Sequence, residues 1–115
     1  MTEQQIQQQI RLALGRGDVR LWRNNTGALR DEHGRLVRFG LGPGSADLIG
    51  LRTIEVGNAR VAQFVALEVK GARGRATQEQ LNFLALVESM GGVAALVRSV
   101  EEAELALRGP PGHSG

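Results

Sequence analysis

Apolar and polar positions along the chain predict its elements in order. Ile6, Ile10, Ala13 and Leu14 recur at helical spacing and lay one apolar stripe along a helix over residues 2–14. Thr2 with Gln5 forms a capping-box pattern at its start, and Gly15 and Gly17 supply the stop. Residues 19–23 alternate, so Val19 and Leu21, with Arg23, share one face of a strand. Turn chemistry fills 24–27 and 31–34, and a short segment over 35–39 follows. A glycine-rich loop, Gly40-Leu41-Gly42-Pro43-Gly44-Ser45, releases into residues 46–51, a buried-strand pattern that carries one acid, Asp47. Gly57-Asn58 joins two β-prone runs as a hairpin. The second run, 62–70, holds Phe64, Val65, Leu67 and Val69 and makes the strongest central strand.

A second helix is predicted over 77–90. Leu81, Leu84, Ala85 and Glu88 lie along one side, and Phe83 and Val87 widen the stripe, before Gly91-Gly92 ends it. Residues 93–97 read as another buried strand, and Ser99 caps a short helix through Leu107. Residues 109–115 read as a flexible Gly/Pro tail, which leaves 1–108 as one domain. Strands separated by a helix imply a parallel crossover, so the expected class is α/β, a mixed β-sheet flanked by helices.

Composition narrows the chemistry. A chain of 115 residues with 42% apolar content can close a single core. It contains no cysteine, which excludes disulfides, Cys-ligated zinc and thiol catalysis and suits a reducing cytoplasm. No apolar run approaches the roughly 18 residues needed to span a bilayer, and the Gln-rich start lacks signal-peptide order. The expected setting is therefore cytoplasmic (the host cytoplasm if the protein is viral), without a membrane partner. Formal net charge is +2, with arginines at 11, 16, 20, 23, 30, 35 and 38, so the N-terminal half suits a polyanion.

Two places need a chemical reason. Residues i and i+2 of a strand face the same side, so Glu68 and Lys70 project together, with Ala66 and Phe64 continuing that face. Charges on an otherwise apolar central strand are costly unless paired, solvated or metal-bound. Asp47 stands similarly among small and apolar neighbours. Two carboxylates at a strand end repel, and a hard divalent cation, Mg²⁺ or Mn²⁺, relieves that repulsion. Such an ion lowers the pKa of a bound water and offsets charge at a phosphorane-like transition state, with Lys70 beside it. Against this stands a plain edge-strand ion pair, since Glu-x-Lys by itself is common.

Gly44-Ser45-Ala46-Asp47-Leu48-Ile49-Gly50, then Ala66-Leu67-Glu68-Val69-Lys70, then Gly74-Arg75-Ala76-Thr77-Gln78-Glu79-Gln80 resembles the VRR-NUC domain, the virus-type replication-repair nuclease branch of the PD-(D/E)xK superfamily. Ser45-Ala46 stands where the superfamily often has a proline before the aspartate. The resemblance implies a restriction-endonuclease-like αβββαβ core. It implies that Asp47 and Glu68 bind the cation, joined by the main-chain carbonyl of Val69, with Glu3 as an outer acid. Lys70 then serves catalysis, and Gln80 points back to the site while also fitting a capping box with Thr77. Arg23, Asn24, Asn25, Arg38 and Ser45 become candidate nucleic-acid contacts by the same analogy and by their basic or polar character.

The expected activity is a Mg²⁺-dependent endonuclease on DNA, structure-specific for junctions or flaps and acting as a homodimer, because paired nicks need two sites. A non-cleaving nucleic-acid-binding module and an RNA-directed nuclease are the alternatives. The spaced glycines 40, 42 and 44 lack the Gly-Lys-Ser/Thr ending of a phosphate loop, so no nucleotide cofactor is expected. His33 and His113 have no ligand partner at useful spacing; Trp22 is expected in the core, with stacking on a base beside Arg23 as the alternative.

Overall fold

The structure, a computed structural model, describes residues 1–108; the tail expected over 109–115 lies outside the described residues. Helix α1 (Glu3–Leu14) is followed by β1 (Val19–Arg23), β2 (Gly27–Arg30), β3 (Leu36–Phe39), β4 (Leu48–Val56), β5 (Ala59–Val69), α2 (Gln78–Ser89), β6 (Val93–Val97) and α3 (Val100–Leu107). Four strands form one sheet in the order β1-β4-β5-β6, and β2 and β3 pair separately. β1, β4 and β5 run antiparallel, while β6 lies parallel to β5 because α2 carries the chain back across the sheet. This is the expected mixed α/β arrangement. Among the described residues no helix is long and apolar enough to cross a membrane.

Both capping boxes are made as read: Thr2 and Gln5 hold the start of α1, and Thr77 and Gln80 the start of α2. The two faces of the sheet are covered unequally. On one face Ile6 and Ile10 of α1 and Ala103 and Leu107 of α3 pack over Leu21, Leu48, Val65, Leu67, Val69 and Val97. On the other, α2 sets Leu84, with Phe83 and Val87, over Ala46, Ala66, Ala94 and Leu96. Helix α2 meets only β5 and β6 closely, so the β1/β4 half of that face has no lid. Trp22 lies there opposite Ile49 and is 49% exposed, which corrects its expected place in the core. Leu81 likewise points outward at 45% exposure, because α2 turns its 83/84/87 edge to the sheet.

Two polar side chains sit inside the first core face. Arg52 donates from Nε and Nη2 to Gln63 Oε1 and from Nη1 to the Leu107 carbonyl, a cation at the C-terminus of α3. Gln63 passes its amide on to the Gly91 carbonyl at 2.7 Å. Pairing makes their burial tolerable.

The segment read as two turns and a short run is a β-hairpin. Asp31 organises its tip by accepting from the N–H groups of His33 and Arg35, at 2.9 and 2.8 Å. Gly27 and Ala28 carry no strand signal of their own, so β2 is not legible in the sequence.

Candidate active site

The register of β4 and β5 brings the acids together. Leu48 pairs with Leu67, so the preceding Asp47 stands opposite Glu68 on the face that α2 covers. Asp47 Oδ2 accepts from the Val69 N–H at 2.9 Å, which ties its carboxylate across to β5. Its carbonyl accepts from the Asn24 N–H at 2.8 Å, and the Asn24 amide donates to Ser45 Oγ and the Ala46 carbonyl, both at 2.9 Å. Asn24 and Ser45 thus spend their polar groups inside the protein, holding the loop that carries Asp47. The glycines of that loop bend the chain: Gly44 has φ +77°, and a Cβ there would lie 2.6 Å from the Glu79 carbonyl oxygen. Gly44 lets the loop rest on the first turn of α2.

Glu68 is the buried centre of the group, 1% exposed. Its Oε1 accepts from Gln80 Nε2 at 3.2 Å and lies 3.8 Å from Lys70 Nζ. Its Oε2 is buried without a hydrogen-bond partner among the described residues. Burial first, then the neighbouring Asp47 carboxyl and the charge of Glu3, push the Glu68 carboxyl up from 4.5 to about 8; Lys70 opposes the shift. Gln80 makes two contacts at once: its Oε1 accepts from the Thr77 N–H at 2.9 Å while its amide reaches Glu68.

Lys70 follows β5 directly, its N–H bonded to the Val97 carbonyl at 3.1 Å, and its side chain is largely buried. The loop after it is gripped from two sides. Glu3 Oε2 accepts from the Gly71 N–H at 3.1 Å, and Arg98 Nη1 donates to the carbonyls of Gly71 and Gly74. Glu3 therefore stands beside the group through a backbone contact. Arg98 went unread in the sequence; its one signal is an arginine directly after a buried strand parallel to the Glu-x-Lys strand. Truncation, Arg98→Ala, is expected to lower kcat roughly 10- to 100-fold with a smaller change in KM, since it frees the loop that aims Lys70; steady-state kinetics check this, and an unchanged kcat refutes it.

The structure joins Arg23, Asn25 and Arg38 to this group by no side-chain hydrogen bond or ion pair among the described residues. Arg23 ends β1 and is exposed, Asn25 is exposed in the following loop, and Arg38 lies on β3 of the hairpin. Val69 is fully buried by its side chain, and its peptide meets Asp47. Among the described residues no group of three or more His, Cys, Asp or Glu is arranged to hold a metal ion.

A helix-flanked mixed sheet that sets an aspartate opposite the glutamate of a Glu-x-Lys strand end has the architecture of a PD-(D/E)xK-type nuclease. The VRR-NUC domain model matches residues 1–101 of the 115-residue chain, and the protein belongs to that family. Membership makes it a nuclease domain, a phosphodiesterase with a nucleic-acid substrate. Neither the curated proteins nor the solved structures contain a match.

Proposed function

We propose that the protein is a Mg²⁺-dependent endonuclease that cuts branched DNA as a homodimer, with Asp47, Glu68, Lys70 and Gln80 forming its active centre. The observation that carries this reading is the buried carboxylate pair, in which Glu68 Oε2 has no protein partner and the Glu68 carboxyl holds a proton to about pH 8. A carboxylate kept in that state is built to exchange its proton for a cation. Two carboxylates are also what Mg²⁺ ordinarily takes from a protein, its other positions going to water and substrate oxygens. Asp47, Glu68 and the Val69 carbonyl would hold the ion, with Glu3 an outer acid. When bound, it supplies positive charge against the phosphate and acidifies a coordinated water.

The chain's own groups do the rest. Lys70 holds its ammonium beside Glu68, where it can orient the attacking water or meet negative charge that grows on the phosphate oxygens. Gln80 fixes Oε1 of Glu68 and so leaves Oε2 as the free ligand atom. Asn24 and Ser45 keep the Asp47 loop in register. A second copy of the chain has an apolar surface to meet: a cleft of about 660 Å³ between α2 and strands β4 and β5, lined by Ile49, Phe64, Phe83, Leu86 and Met90 among others.

Labelled four-way, flapped and linear DNA, incubated with Mg²⁺ or EDTA, tests the reading. Mg²⁺-dependent nicking of the branched substrates is expected, and Asp47→Ala should lower it at least a thousandfold. No metal-dependent cleavage of any DNA sinks the enzyme, and cleavage of RNA alone moves the substrate. Gel filtration checks the dimer; a monomer at high concentration contradicts it.

A further inference from the structure

The β2–β3 hairpin is the part of the molecule that the active site leaves unexplained. All eight strand residues are exposed, and the two strands pack chiefly on each other. The pairing Ala28↔Arg38 and Arg30↔Leu36 puts both arginines on one face, and Leu29↔Val37 with Gly27↔Phe39 makes the other face apolar. Leu29, Val37 and Phe39 are between 45% and 68% exposed. Gly27 makes room for the Phe39 ring, since a Cβ there would lie 2.6 Å from it. The hairpin is also stiff. At its tip Asp31 accepts from two backbone N–H groups, Arg35 pairs with Asp31 at 3.2 Å, and Arg30 donates to the Gly34 carbonyl at 2.8 Å.

Its root is bolted to the acid pair. The chain enters through Asn24, bonded to Asp47, Ala46 and Ser45, and leaves through Gly40, which lies against Asn25 and Thr26. A rigid two-faced ribbon of about 20 Å therefore leaves the fold beside Asp47. Arg38 has no hydrogen bond or ion pair among the described residues, and Arg30 keeps further N–H donors for a second partner.

We propose that this ribbon is the branch-engaging arm of the nuclease, wedged between two arms of a branched DNA. The basic face, Arg30 and Arg38, lies along the phosphates of one arm. The apolar face, Leu29, Val37 and Phe39, covers the base pair left open at the branch point of the other. The proposal rests on the branched-DNA reading above. Three observations select nucleic acid as the occupant: the positive face, the direct tether to Asp47, and a ribbon width that DNA grooves and forks admit. An apolar side chain set against an unstacked base is an established way of holding distorted DNA.

The test compares wild type with Arg30→Gln/Arg38→Gln and with Val37→Ser/Phe39→Ser. Binding to fluorescent four-way and linear duplex DNA is measured in EDTA across a salt series, with thermal melts and gel filtration alongside. The basic-face pair is expected to weaken binding to both DNAs about tenfold or more and to flatten the log–log salt dependence by about 1.8, two lost phosphate contacts. The apolar-face pair is expected to keep linear-duplex affinity within about twofold while losing most of the preference for the four-way DNA. Melting should stay near the wild-type temperature in both, because the two strands pack chiefly on each other. Unchanged affinity in the first variant, unchanged preference in the second, or no preference in wild type overturns the proposal. So does a second variant that halves the size on gel filtration yet still prefers the junction, which makes the apolar face a contact between copies. Because the readout is binding without metal, it decides the ribbon whether or not the protein cleaves; failed cleavage overturns the endonuclease alone.

Discussion

Glu68→Gln is expected to abolish cleavage and yet make the metal-free protein more stable at pH 8. In the folded chain Glu68 keeps its proton to about pH 8, whereas its ordinary carboxyl value is 4.5. Between those values the folded state binds the extra proton, so this contribution to stability is complete below 4.5 and is lost as pH rises toward 8. The slope within the window is at most roughly 1.4 kcal/mol per pH unit. Glutamine has the same shape and no charge at any pH, so the variant loses that slope. Mg²⁺ should reverse the ranking, because it stabilises only a chain whose carboxylate it can take, and each ion bound should release about one proton near pH 7. Cleavage should fall a thousandfold or more, since the variant lacks an anionic ligand at the reacting centre. Thermal melts from pH 5 to 8, in EDTA and in Mg²⁺, decide it. Parallel pH slopes for the two proteins in EDTA would remove the buried carboxyl from the account, and a variant that still cleaves would remove it from the site.

Gly50→Ala is expected to unfold the domain outright. Gly50 pairs with Leu21 where β4 meets β1, and a Cβ at that position would lie 1.8 Å from the Arg20 carbonyl oxygen. The obstacle is backbone of a paired strand, so no side chain can swing aside. Leu21 Cδ2 closes the space from another direction at 3.0 Å. Relief requires β1 to leave β4, exposing Leu21 and loosening the register that feeds Asn24 to Asp47. A loss of about 4–5 kcal/mol or more is expected, most of what a domain of this size holds in reserve. Circular dichroism melts should show a fall of about 20 °C or no folded protein. A melting temperature within a few degrees of wild type would mean that the strands are farther apart than they stand here.

Gly50 entered the reading as part of a family-like motif, and its steric reason became visible only once β1 lay beside β4. Asn24 and Ser45 show a related gap. Their polar groups marked them as candidates for phosphate, but the fold spends those groups on the loop beneath Asp47. A side chain's type is written in the sequence, whereas its partner is settled by what arrives from elsewhere in the chain. Trp22 missed for the same reason. Hydrophobicity says that a residue can be buried, and only the position of α2 decides which half of a sheet face receives cover.

The sequence by itself determined the features that depend on near neighbours. The caps at Thr2 and Thr77 need a partner three residues on, the helices need a 3.6-residue stripe, and Glu68 and Lys70 share a side because strand side chains alternate. It also supplied the ordered motifs that identify the family. Tertiary structure alone decided that Asp47 faces Glu68, through the Leu48↔Leu67 register, and that burial raises the Glu68 carboxyl. It alone paired the runs either side of the 31–34 turn into a two-faced ribbon and brought Arg98 onto the loop behind Lys70. These are contacts between residues 6 to 27 positions apart. No local spacing encodes them, because they exist only after the core has chosen how its layers lie against one another.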